Sequence, residues 1–188
     1  MLNFKKIIEI IIALESIIIS SMLPIYIEIP YKNNLFNLNY FPINMQITTI
    51  LFLTLLFSEQ VMLIAFSLYM ILGLFIIPVF YDGGSLGYIL TPNFGYLLGI
   101  YPLIIIINKF NYKIDTKIIK LFKIGFIGLI AMHSVGIIYT LIQLILFNKI
   151  NLIAYNIGKF SLSKLPFEIL MLIPIIFLKK SLQILNNK

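Results

Sequence analysis

The chain has 188 residues, is 61% hydrophobic and only 11% charged, and carries a formal net charge of +7, with a mean hydropathy of +1.04. A soluble domain is about half apolar and a quarter charged, so this composition excludes an ordinary soluble domain and predicts an all-α integral membrane protein. Cysteine is absent, which excludes disulfides, thiolate metal sites and a cysteine nucleophile.

The N-terminus, MLNFKKIIEIIIALESIIISS, has the positive-then-apolar order of a signal peptide. Met22, Leu23 and Pro24 follow Ser20 and Ser21 without a small-x-small cleavage site, so the segment reads as a retained first span over about Ile7–Leu23. Pro24 and Pro30 end it, and Glu28–Pro42 reads as a polar, aromatic loop. A second span runs from about Ile43 to Phe57, and Ser58, Glu59 and Gln60 turn the chain into a third over Val61–Ile77. The stretch from Leu72 to Gly99 then joins two apolar runs through Pro78, Asp82, Gly83, Gly84, Ser85, Pro92 and Gly95. Glycine there permits positive φ or close backbone approach, and proline fixes φ and removes a donor.

The fourth span covers about Gly87–Asn108, with a bend expected near Pro92–Gly95. Lys109–Lys123 is basic, and the fifth span covers about Leu121–Phe147, where Gly125, Gly128 and Gly136 suit close helix contact. Asn148–Lys164 reads as a half-polar connection, and a sixth span over about Leu165–Leu178 stops at Lys179 and Lys180. The expectation is one bundle of six transmembrane helices over residues 1–188, with no soluble domain.

Six spans put both termini on one side of the membrane. Ten lysines lie on that side (5, 6, 109, 113, 117, 120, 123, 179, 180 and 188) and four on the other (32, 149, 159 and 164). The positive-inside rule then predicts an N-in, C-in protein of the cell membrane. The Glu28–Pro42 loop, the Asp82–Ser85 loop and the start of span six would share the outer face. Excess lysine in such a chain marks the cytoplasmic side and membrane lipid, not nucleic acid.

Few residues can carry chemistry. Gln46, one turn into span two, both donates and accepts, which suits a heterocyclic amide or ureido group, or else an interhelical hydrogen bond. Glu168 opens span six, and a carboxylate at membrane depth is a functional candidate unless it sits at the interface near a helix N-terminus. Glu15, in span one, raises the same question. His133 is the only histidine; without cysteine or a carboxylate nearby in sequence it reads as a packed or hydrogen-bonded helix residue and not as a metal ligand. DGGSLG does not follow a buried parallel strand, so it is not a phosphate loop, and no nucleophile–base constellation is present. The chain reads as a non-enzyme without a cofactor.

From Pro42 to Gly99 the chain resembles the BioY family, the biotin-binding membrane subunits (S components) of energy-coupling-factor transporters. Pro42 and Gln46 match the start of span two, and Tyr69, Gly73, Pro78, Val79 and Phe80 match the next motif without gaps. Gly83, Gly84 and Gly87 match its glycine-rich loop, and Pro92, Gly95 and Tyr96 match part of the following motif. Pro166 and Glu168 occupy the proline and acidic positions near the C-terminus. Thr91 and Asn93 stand where the family has glycine and threonine, Glu168 replaces aspartate, and Met171 replaces lysine.

The resemblance implies a six-helix S component that takes up biotin from outside, with a transmembrane coupling subunit and two ATPase subunits powering release. It implies a substrate site formed by Gln46, Asp82, Gly83, Gly84, Ser85, Asn93, Tyr96 and Glu168. An S component for another small vitamin or precursor, and a membrane assembly subunit without a ligand, are the alternatives.

Overall fold

The computed structural model describes residues 3–30, 38–81, 83–111 and 117–186. The chain begins with helix α1, Phe4–Ser21, which buries Ile10, Ala13, Ile17, Ser20 and Ser21 along one side. Steps of three and four residues make that side continuous. It lies on α3 and α2. At its end, Ser21 Oγ donates to Val79 O over 2.8 Å, which ties the first helix to the loop after α3.

The expected Glu28–Pro42 loop is largely an antiparallel hairpin. Strand β1, Pro24–Pro30, pairs with β2, Leu38–Asn44, in the register Pro24↔Asn44 to Pro30↔Leu38; residues 31–37 lie outside the described set. Ile25, Ile27 and Ile29 alternate with Tyr26 and Glu28, a period-two β signal that the surrounding polar residues masked. Prolines are tolerated because both strands of a two-stranded ribbon are edges.

Helix α2, Gln46–Leu56, has 11 residues and rises about 16 Å at the usual pitch, short of an apolar core of about 30 Å. It is buried on several sides, through Gln46, Thr48, Ile50, Leu51, Leu53, Thr54 and Leu55, because α1, α4 and α7 pack round it. Helix α3, Glu59–Ile71, continues as a π-helical turn, Leu72–Ile76. A 3₁₀ turn, Leu86–Leu90, precedes α4, Pro92–Asn111. The bend expected within span four is thus a break before it, and Pro92 takes the first helical position, where its missing N–H costs nothing.

Helices α4 and α5, Ile118–Leu146, form the most extensive pairing in the bundle. At Gly99 a Cβ would meet the backbone of Met132, 3.0 Å from its Cα. With Gly95 one turn earlier, α4 presents a small-x-x-x-small face that lets the two backbones approach. After α5 the chain makes a 3₁₀ turn (Ile150–Leu152), a short helix α6 (Ile153–Ile157) and a π-helical turn (Gly158–Leu162) before α7, Leu165–Asn186. The sixth span therefore does not stop at Leu178. Lysine is a good helix former, so Lys179 and Lys180 leave the helix intact, and Lys179 is buried.

Among the described residues four helical segments are long and apolar enough to cross a membrane: Glu59–Ile76, Pro92–Phe110, Ile118–Leu146 and Ile150–Leu185. Large apolar side chains such as Phe75, Ile76, Ile119, Ile138 and Phe177 are exposed around the bundle, as a lipid-facing surface requires.

Candidate functional site

One cavity lies where the first turns of α2, α4 and α7 come together. Gln46 is the first residue of α2, Asn93 the second of α4, and Glu168 lies in the first turn of α7. All three line the cavity, with Tyr69 from α3, Tyr96 from α4, Met132 and His133 from α5, and Phe80, Tyr81, Tyr88, Phe160 and Lys164 from the connecting segments. Three helix N-termini favour negative charge nearby. The cavity volume is about 30 Å³, room for about two waters, so a vitamin-sized ligand needs the walls to move apart.

One wall is aromatic. Tyr69 meets Phe80 at 5.3 Å between ring centroids, and Phe80 meets Tyr88 at 4.7 Å. Asn93 Nδ2 donates to Tyr88 OH over 2.6 Å, and Tyr69 OH donates to Val79 O over 3.3 Å. These bonds fix the polar ends of the rings and leave their faces as apolar surface for a flat ligand.

The opposite wall is hydrogen-bonded. His133 Nε2 lies 2.7 Å from Glu168 Oε2, and His133 Nδ1 lies 2.8 Å from Ser161 Oγ. Ser161 Oγ in turn donates to Tyr96 OH over 3.2 Å. Glu168 is 4% exposed and His133 3%, so each needs the other: a buried charge without a partner is costly. The carboxylate expected to be absent near His133 is supplied by α7, 35 residues further along the chain.

Between the walls sits Gln46. It is 4% exposed, and its Nε2 has no hydrogen-bond partner among the described residues. A buried donor left unmade costs about 1–3 kcal/mol, which a ligand acceptor would recover.

The residues expected at the site divide into three groups. Gln46, Asn93, Tyr96 and Glu168 meet at the cavity. Gly83, Gly84 and Ser85 do not line it; they shape the loop that delivers Phe80, Tyr81 and Tyr88. Gly83 takes φ +108° and Ser85 φ 136°, and Ser85 N donates to Gly73 O over 3.0 Å. Gly84 passes so close to the α3 end that a Cβ would lie 2.5 Å from Gly73 O. Asp82 lies outside the described residues. Met171, at the position of the expected family lysine, packs against the core, whereas Lys164 reaches the cavity wall. His133, Ser161 and Tyr69 were not expected there. The motif tyrosine at Tyr69 was a signal for one; nothing local marked the other two.

The model of the BioY family matches residues 2–183. The chain belongs to the BioY family. A relative from Lysinibacillus sphaericus, described as "Probable biotin transporter BioY", is 34% identical over 77 residues, which is 40% of this chain and 39% of that one. The match thus spans about two fifths of the curated relative's length. A solved structure described as the S-component for biotin from an ECF-type ABC transporter superposes with a TM-score of 0.67 at 22% identity, covering 96% of this chain and 95% of that one. At that identity the likeness shows a shared fold. Family membership and the four apolar segments make this a multi-pass membrane protein.

Proposed function

We propose that this BioY-family chain is the biotin-binding S component of an energy-coupling-factor transporter. It captures biotin at the outer face and hands it inward with a transmembrane coupling subunit and two ATPase subunits. It performs no catalysis of its own. The observation that carries the reading is Gln46 Nε2, which has no hydrogen-bond partner among the described residues and lines a cavity with an aromatic wall and the Glu168 carboxylate. An amide donor and a carboxylate acceptor are the complement of a cyclic urea, with its carbonyl and N–H groups. The substrate site then comprises Gln46, Asn93, Tyr96 and Glu168, with Gly83, Gly84 and Ser85 in the loop that delivers the aromatic wall.

The lysine distribution supports a six-span, N-in and C-in arrangement in the cell membrane, in which α1 and the short α2 join the four long segments. Equilibrium binding of labelled biotin to the purified protein tests the assignment. Saturable binding at sub-micromolar ligand is expected, displaced by desthiobiotin and not by thiamine or riboflavin. Absence of saturable binding at that concentration overturns it.

A further inference from the structure

Four buried side chains from four segments make one hydrogen-bonded chain: Glu168, His133, Ser161 and Tyr96. The number of protons in it is constrained. Ser161 has a single hydroxyl proton, donated to Tyr96 OH, so its oxygen accepts from His133 Nδ1–H. A bare imidazole nitrogen and a carboxylate oxygen are both acceptors and repel, so the 2.7 Å contact between Nε2 and Oε2 holds a second proton. The two groups share that proton, and the pair as a whole carries no net charge.

We propose that His133 is a specificity-determining positioning residue of the ligand site. It occupies Oε2 of Glu168 and cancels its charge, so that the cavity takes an uncharged N–H group and rejects a cationic ligand. A lone buried carboxylate would do the reverse, because it would need a cation in place of its lost hydration. Glu168 is the only carboxylate lining the cavity among the described residues, and Lys164, Tyr69, Tyr81, Tyr88 and Tyr96 are the other titratable groups there.

The ligand arm of the test rests on the biotin reading; the spectroscopic arm does not. Because the chain has one histidine, ¹⁵N-histidine labelling of the full-length protein, purified without a histidine tag, reports His133 alone. Nδ1 is expected to be protonated and Nε2 to share a proton with Glu168, and the Nε2 signal to shift in Glu168→Gln. A wild-type spectrum with a bare Nδ1 overturns the proposal.

In binding assays with labelled biotin, His133→Gln is expected to lose at least tenfold in affinity and to admit thiamine as a competitor. Adding Glu168→Gln to it removes the uncancelled charge and recovers most of the loss. Losses that simply add, as for two structural defects, overturn the proposal. If wild-type protein binds no biotin, the biotin reading falls while the spectrum still decides the charge of the pair.

Discussion

Gly136 of α5 backs directly onto the ring of Tyr96 of α4: a Cβ at position 136 would lie 2.6 Å from Tyr96 Cγ. The missing side chain is what allows Tyr96 to reach Ser161, and through it His133 and Glu168. A glycine of the helix–helix contact thereby sets the position of a side chain in the cavity. Gly136→Ala is expected to push the ring off Ser161, costing about 1–3 kcal/mol as overpacking does and weakening biotin binding. Thermal unfolding in detergent together with equilibrium binding checks it; unchanged affinity would separate the glycine from the site.

Gly99 makes a sterically harder contact, because the atoms it meets are the backbone of Met132. A backbone cannot change rotamer, so Gly99→Ala must separate α4 from α5. The loss of stability is expected to exceed that of Gly136→Ala, with lower yield of folded protein measured by size-exclusion chromatography.

Gln46 is predicted to oppose stability to function. Its Nε2 donor, without a partner among the described residues, is a burial cost. Gln46→Leu keeps most of the volume and removes that cost, so unfolding temperature should hold or rise, by up to about 1–3 kcal/mol of stability. Biotin affinity should fall at least tenfold. A variant that loses stability and keeps affinity would show Gln46 to be a packing residue.

Ser85 carries backbone strain. At φ 136° and ψ 171° it occupies a region open chiefly to glycine, at a cost of about 1–3 kcal/mol. Ser85→Gly is expected to raise the unfolding temperature, since the strain relieved exceeds the entropy that glycine adds to the unfolded chain. Gly83→Ala, at φ +108° in open space, is expected to lower it. Differential scanning fluorimetry of the two variants side by side reads both signs.

The hairpin shows one limit of the sequence. The residues Ile25, Ile27 and Ile29 carry a strand alternation, but the stretch is short, bounded by prolines and set among polar residues, so a loop was the simpler expectation. Lys179 and Lys180 show another. A basic pair marks where a span should leave the apolar layer, yet nothing in lysine ends a helix, and α7 continues to Asn186.

The sequence by itself determined the membrane class, most span positions, the absence of thiol chemistry and, through ordered motifs, the family and the candidates Gln46, Asn93, Tyr96 and Glu168. Which side chains meet was decided only by the tertiary structure. Helix α5 is apolar along nearly its whole length, so its periodicity names no inward face. Its rotation is set by glycines at the α4 contact, and that rotation brings His133 to Glu168 and Ser161. The pair lies 35 residues apart in the chain and 2.7 Å apart in space. A buried carboxylate in an apolar bundle requires some such partner; only the packing of the helices selects which one.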